Sequence, residues 1–188
     1  HDYSEGELIT LGYYETDDME AWYQYLLTRD DFDHEKIGIL GNSYGGMLSI
    51  QYAALNEKIK AVVANCAFSS MTDTVSTSVT HFTGLPEFPF VPLIVFWAET
   101  DTGVKMEEID ATKWIPQISP RPVFLMQGGK DTVISPESGQ RLYDAAGEPK
   151  ELWYDPELGH VDFDKERAEE YEARVAAFFD QYLLQTTP

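Results

Sequence analysis

A serine flanked by glycines stands where a short apolar segment gives way to a helical pattern. The residues are Gly41-Asn42-Ser43-Tyr44-Gly45-Gly46, and the apolar segment before them is Ile37 to Leu40. We expect Ser43 to adopt a strained backbone conformation that projects its hydroxyl oxygen outward. Side chains two residues before and after it would collide, which favours glycine at 41 and 45. Gly46 would let the helix approach neighbouring backbone closely. The segment therefore predicts a sharp strand-to-helix turn that presents a serine.

Strand and helix patterns alternate along the chain in the order typical of a parallel sheet. After a loop over residues 1–14, apolar periodicity predicts strands at 37–40, 59–64, 122–127 and 151–154, and helices at 17–27, 44–55, 137–146 and 171–183. A strand, a helix and a second strand in succession form a unit that crosses right-handed into a parallel sheet. The strands lack polar alternation, as expected when both faces are covered. We predict an α/β fold with helices on both faces of the sheet.

Residues 69–115 interrupt this alternation. A stretch rich in Ser and Thr precedes a run of prolines and aromatic residues, and we predict a helix from Pro92 onward because proline suits the first helical position. We interpret the segment as a cap-like insertion within one partial domain of residues 1–188. Four of its aromatic residues are candidates to line a substrate pocket, although ordinary packing explains each of them equally well. They are Phe88, Phe90, Phe96 and Trp97.

The charge balance restricts the kinds of partner. Thirteen Lys and Arg against 33 Asp and Glu give a formal net charge of −20. Such a field repels nucleic acid phosphates and anionic membranes, so we predict neither as a partner. The longest apolar stretch, 88–98, contains two prolines and falls short of the ~20 residues that a helix needs to cross a bilayer. We therefore predict no membrane span, and the lack of a visible signal peptide favours a cytoplasmic location.

The single cysteine, Cys66, excludes an intrachain disulfide and gives no zinc cluster. It ends an apolar strand with no basic neighbour that would lower its pKa. We interpret it as a buried structural thiol rather than a nucleophile. The sequence gives no reason to expect a metal or an organic cofactor.

A serine hydroxyl becomes a strong nucleophile only when a base removes its proton, and that base is most often a histidine. Among the four histidines, His160 lies in a loop between the last predicted strand and the last helix. Reactive groups of an open parallel sheet gather beyond the carboxyl ends of its strands, where Ser43 is also expected. His1, His34 and His81 fit a terminus, a polar surface run and the insertion.

Asp131 follows another predicted strand end and is the best candidate to orient His160. The chain order Ser43, Asp131, His160 is typical of one known arrangement of this chemistry. The competing carboxylates lie on the loop of His160 itself or within the insertion. They are Asp155, Asp162 and Asp164 on that loop, and Asp101 and Asp110 in the insertion.

Five segments together resemble the α/β-hydrolase superfamily, and more narrowly bacterial serine hydrolases related to prolyl-oligopeptidase-like and dienelactone-hydrolase-like enzymes. They are Gly12-Tyr13-Tyr14-Glu15, Gly41 to Gly46, Ser119-Pro120-Arg121-Pro122-Val123, Gly128-Gly129-Lys130-Asp131 and Gly159-His160. The resemblance implies a carboxylesterase-like serine hydrolase that needs no cofactor, with the backbone N–H of Tyr44 in the oxyanion hole. It equally permits a thioesterase or a peptidase. A binding module that keeps the fold without turnover is a further alternative, which an absence of the first strands of the family would favour.

The chain departs from this pattern at its amino-terminal side. The strands that precede these motifs in the family, with their His-Gly loop, have no counterpart here. Their absence would leave the strand at 37–40 as a bare sheet edge, which is a template for pairing with another chain. Three accounts remain open: a fragment of a larger protein, a homodimer that completes its sheet through this edge, or a degenerate hydrolase.

Overall fold

The computed structural model describes residue 10 and residues 12–184. Most of the predicted loop over residues 1–14, including His1, lies outside the described residues. The strands are β1 (Ile37–Asn42), β2 (Ile59–Asn65), β3 (Val123–Gly128) and β4 (Lys150–Asp155). The helices are α1 (Glu15–Leu26), α2 (Tyr44–Leu55), α3 (Met71–Thr83), α4 (Glu87–Thr102), α5 (Ala111–Trp114), α6 (Glu137–Ala145), α7 (Phe163–Glu166) and α8 (Ala168–Phe179). Two 3₁₀ turns, Met106–Glu108 and Ile115–Ile118, and a π turn, Asp180–Leu184, complete them.

The four strands form one parallel sheet in the order β1-β2-β3-β4. The register places Asn42 opposite Asn65, and Asn65 opposite Met126. Gly128 at the end of β3 stands opposite Asp155 at the end of β4. The carboxyl ends of all four strands therefore meet at one edge, and the predicted α/β fold with a parallel sheet is confirmed.

Alternate residues of the central strands feed two separate apolar cores. Val62 and Leu125 belong to the core shared with α1, α2, α3, α5 and α6. Val63 and Phe124, their neighbours along the chain, pack instead with α7 and α8. Burying one such side chain stabilises a fold by roughly 1.5–3 kcal/mol, so both layers hold the sheet. Helices therefore cover both faces, as the unbroken apolar strands predicted.

The segment 69–115 contains two long helices, of which the sequence pattern indicated one. Ser70 caps α3, where its Oγ accepts the N–H of Asp73 at 3.3 Å, and Gly84 ends it with a left-handed φ of 68°. The predicted start of the second helix at Pro92 is wrong, because α4 begins at Glu87. Phe88 breaks the helical geometry, and Pro92 lies inside the helix four residues after that kink. The interpretation of this segment as a cap stays a prediction.

Within the described part of the chain, no single helix has the length and apolar composition that a bilayer span requires. The pair α3 and α4 meets that requirement only when the two helices are taken together, and they are bent by 117° at the break between them.

Candidate active site

The serine of the strand-to-helix turn has a strained backbone. Ser43 lies between β1 and α2 with φ 54° and ψ −120°, outside the common regions for a residue with a side chain. Its N–H donates to the carbonyl of Asn65 at 2.7 Å, which anchors the turn to β2. The sharp turn that the sequence predicted is therefore present in the structure.

Two of the three glycines around the turn are required by close approach. A Cβ on Gly41 would lie 2.1 Å from the carbonyl oxygen of Gly45, and one on Gly46 would lie 3.0 Å from that of Gly41. The collision expected at Gly45 is wrong, because none of the described residues lies within 4 Å of a Cβ built there. Gly45 lies in the first turn of α2, and a side chain at this position would point into open space.

His160 bridges the serine and the carboxylate that the sequence singled out. Its Nε2 is 2.9 Å from Ser43 Oγ, and its Nδ1 is 2.8 Å from Asp131 Oδ2. His160 is 117 positions from Ser43 and 29 positions from Asp131 in the sequence. The three residues nevertheless meet beyond the carboxyl ends of β1, β3 and β4. The structure brings Ser43, His160 and Asp131 together in one hydrogen-bonded chain.

Four donors surround the carboxylate of Asp131, whose side chain is fully buried. Oδ1 accepts the backbone N–H groups of Val133 and Ile134, each at 2.9 Å. Oδ2 accepts from Nε2 of Gln127 at 3.3 Å as well as from the His160 ring. A carboxylate only accepts, so Nδ1 of His160 carries the proton and Nε2 is left to accept from the Ser43 hydroxyl.

Gln127 is a further residue of the site, which the sequence pattern did not predict. It is fully buried in β3, and its side-chain N–H group points to two oxygens, those of Asp131 and of the Gly128 carbonyl. Both are acceptors, which fixes the orientation of the amide. The available signal was a lone amide at the end of an otherwise apolar strand, Val123 to Met126. A polar residue in such a place needs a buried partner.

Two of the competing carboxylates and one of the competing histidines have other partners. Asp155 forms an ion pair with Arg167 at 3.1 Å, and Asp110 caps α5 by accepting the N–H of Thr112 at 3.0 Å. His34 bonds the carbonyl of Arg29 on the surface, and His81 lies exposed on α3. These contacts favour Asp131 and His160 over the other carboxylates and histidines of the described residues.

Cys66 is buried, as its apolar setting predicted, and the structure places it beside the His160–Asp131 pair. Burial raises the pKa of its thiol to about 11. One ligating atom each of Cys66, Asp131 and His160 lies within 4.8 Å of the others, which is close enough to consider a metal. In the structure two of these three groups already bond each other, because His160 Nδ1 lies 2.8 Å from Asp131 Oδ2.

The backbone N–H of Tyr44 is available at the start of α2. The first N–H groups of a helix have no intrahelical acceptor, and none of the described residues supplies one for Tyr44. The phenol of Tyr44 has a different environment, because burial and the nearby carboxylate of Glu15 raise its pKa. The part of this residue relevant to an oxyanion is its main chain.

The four aromatic candidates of α4 do not form one pocket. Phe90 and Trp97 line a groove of about 470 Å³ with Leu93, Ile94, Ala98 and Asp101. Neither Ser43 nor His160 lines that groove. Phe88 and Phe96 are 80% and 62% exposed and lie outside the groove lining. A substrate-binding role for these aromatic residues stays a prediction.

The parallel sheet, the strained serine turn and the three hydrogen-bonded side chains define an α/β-hydrolase. More narrowly, the sequence model of the prolyl oligopeptidase family matches residues 8–186, and the chain belongs to that family. The resemblance inferred from the motifs is thereby confirmed at the level of the superfamily and of this family.

Known proteins of the same fold include esterases and peptidases. The uncharacterized protein YqkD of Bacillus subtilis (strain 168) is 25% identical over 182 residues, which cover 96% of this chain and 59% of YqkD. The chain thus spans about three fifths of that relative. The Pyrococcus furiosus esterase Pf2001 superposes with a TM-score of 0.76 at 23% identity, over 96% of this chain and 67% of the esterase. The Pyrococcus horikoshii acylaminoacyl peptidase gives 0.74 at 17% identity, over 94% and 29%.

Proposed function

We propose that this chain is a serine hydrolase that cleaves small carboxylic esters through an acyl-enzyme intermediate. The observation that carries the proposal is the unbroken hydrogen-bonded chain from Ser43 through His160 to the buried carboxylate of Asp131. Membership of a hydrolase-fold family and the esterase Pf2001 among its structural neighbours support the same reading.

In the acylation step, Ser43 Oγ attacks the carbonyl carbon of the ester while its proton passes to Nε2 of His160. The carbonyl electrons move onto oxygen, and the N–H of Tyr44 stabilises that oxyanion at the positive end of α2. Collapse of the tetrahedral intermediate breaks the ester C–O bond. The departing alcohol takes the proton from His160, which leaves an acyl group on Ser43.

In the deacylation step, water replaces the alcohol. Nε2 of His160 accepts a proton from the water as its oxygen attacks the acyl carbon, and the second tetrahedral intermediate returns that proton to Ser43 Oγ as the carboxylic acid leaves. Asp131 stays a carboxylate throughout and stabilises the charged imidazole ring. Its four donors hold it in place for both half-reactions.

A fluorophosphonate tests the proposal directly, because it reacts with serines activated in this way. We expect it to add one equivalent to the folded chain, with the label mapped by mass spectrometry to Ser43. Ser138→Ala, which removes a buried hydroxyl on α6 outside the site, should label as fully as the wild type. Failure of the folded wild type to label would contradict the proposal.

A peptidase is the second candidate, since an acylaminoacyl peptidase shares the fold and the family is named for peptidases. A panel of p-nitrophenyl esters from acetate to octanoate, measured beside aminoacyl p-nitroanilides, separates the two. We expect kcat/KM for the best ester to exceed that for every anilide. Faster cleavage of an anilide would replace the esterase assignment with the peptidase.

The open edge of β1 gives a separate prediction about assembly. In the described sheet, β1 pairs with β2 alone, and Leu40 is partly exposed. If two copies complete their sheets through this edge, light scattering should give twice the chain mass of 21.3 kDa. Leu40→Lys should then yield monomers, because charges on an edge strand oppose pairing. A wild-type chain that is monomeric across concentration would remove the dimer and leave the other two accounts.

A further inference from the structure

Backbone strain concentrates around the candidate site. Among the described residues, three that are not glycine have a positive φ: Ser43 at 54°, Cys66 at 49° and Val161 at 56°. Ser43 follows β1, Cys66 follows β2, and Val161 follows His160 in the loop after β4. A branched residue such as valine is a conformational outlier in this region. Such a conformation persists only where the surrounding structure holds it.

A single contact links the second and third of these residues. The N–H of Val161 donates to Sγ of Cys66 at 3.4 Å. Cys66 is itself held in place, because it is fully buried and its own N–H donates to the carbonyl of Met126 in β3 at 2.8 Å. The peptide group between His160 and Val161 is therefore connected through Cys66 to the two central strands, β2 and β3.

We propose that Cys66 is a positioning residue, whose sulfur holds the left-handed turn at Val161 and thereby keeps His160 aligned between Ser43 and Asp131. The inference rests on the proposed function, since the reaction needs the imidazole in this place. It assigns the thiol no part in bond making or breaking.

A thiol suits this position for two physical reasons. Its sulfur is a weak acceptor, which is enough to accept the Val161 N–H. Its S–H group is only a weak donor, so it does not need a strong acceptor in the apolar core. Because burial raises its pKa to about 11, it also stays neutral beside the carboxylate of Asp131 near pH 7. An anionic group there would repel Asp131, and alanine would leave the Val161 N–H without its acceptor.

The test measures ester hydrolysis by Cys66→Ala beside Val63→Ala, which trims a buried side chain of the same apolar core within β2, opposite Phe124, and leaves the Cys66 sulfur in place. We expect kcat to fall about tenfold in Cys66→Ala with KM nearly unchanged, because a misplaced base slows chemistry rather than binding. Val63→Ala should lose thermal stability and keep kcat. Wild-type kcat in a folded Cys66→Ala, or an equal loss in Val63→Ala, would overturn the proposal.

A second variant tests whether the sulfur of Cys66 acts by stabilising the left-handed turn at Val161. Glycine adopts φ near 56° without strain, so Val161→Gly should need the sulfur less. We expect the double variant Cys66→Ala/Val161→Gly to recover most of the kcat lost in Cys66→Ala. A double variant no better than the single one would count against the proposal. Should Cys66→Ala not fold, Cys66→Gly takes its place with the same expected direction, because glycine also lacks the acceptor and adopts the φ of 49° found at this position without strain.

Proton NMR separates this inference from the proposed function. The Nδ1 proton shared by His160 and Asp131 gives a downfield resonance in a well-held pair, and we expect it to broaden through solvent exchange in Cys66→Ala but not in Val63→Ala. This readout needs no turnover. If the wild type hydrolyses no ester, the proposed function fails while the resonance still tests the positioning. An unchanged resonance in Cys66→Ala would refute the positioning role.

Discussion

Replacing Ser43 by alanine should lower kcat for p-nitrophenyl ester hydrolysis by roughly 10⁴- to 10⁶-fold, the loss typical of a removed serine nucleophile. Alanine keeps the backbone and removes Oγ of Ser43, which lies 2.9 Å from Nε2 of His160. The residual rate then comes from oxyanion stabilisation and substrate binding alone. Steady-state kinetics should show the whole effect in kcat, with KM little changed.

The matched control for this experiment is Ser138→Ala, which deletes a hydroxyl that is more deeply buried than that of Ser43 and contacts Ser69 rather than the site. It should keep the wild-type rate. Equal ester turnover in Ser43→Ala and the wild type would show that hydrolysis proceeds elsewhere or not at all, and the serine hydrolase assignment would have to be abandoned.

Replacing Asp131 by asparagine should lower kcat by about 10⁴-fold through a wrong histidine tautomer. Oδ1 of Asp131 accepts the two N–H groups of Val133 and Ile134, so the oxygen of an asparagine would stay there. Its NH₂ group would then face Nδ1 of His160 and the donor amide of Gln127. His160 would have to accept at Nδ1 and carry its proton on Nε2, where it cannot take the proton of Ser43.

Asp155→Asn is the matched control, because it changes a carboxylate at the end of the neighbouring strand β4 that bonds Arg167 instead. Its kcat should stay close to that of the wild type. Comparing the two variants in the same ester assay isolates the effect on the histidine from a general change of charge. An Asp131→Asn enzyme within tenfold of the wild type would show that His160 is oriented by some other group.

The elements that the sequence predicted well are those held by local apolar pattern. The helix over 44–55 has the predicted ends, and the predicted strands lie within two residues of β1 to β4. Each of these segments carries its own periodicity, which is a property of neighbouring residues. The Ser/Thr-rich α3 and the true start of α4 escaped prediction, because caps and a kink at Phe88 decide them.

The residues of the candidate site also fall into two groups, those that the sequence predicts and those that only the structure shows. Ser43, Asp131 and His160 stand out in the sequence by residue type, by order and by their places after strand ends. Gln127 donates to Asp131, and Cys66 accepts the N–H of Val161 beside His160, through contacts between different strands and loops. Such contacts depend on register and on the packing of a loop against a neighbouring strand. No spacing within either segment reveals them.

Local pattern and the common edge of a parallel sheet are enough to predict the class of fold, the strained turn at Ser43 and the three side chains that the structure joins in one hydrogen-bonded chain. The folded structure is needed to see which nitrogen of His160 faces which partner, how four donors hold Asp131, and that a buried sulfur accepts the Val161 N–H. Those features are distances between parts of the chain that are remote in sequence, and the packing of both apolar cores against the sheet sets them.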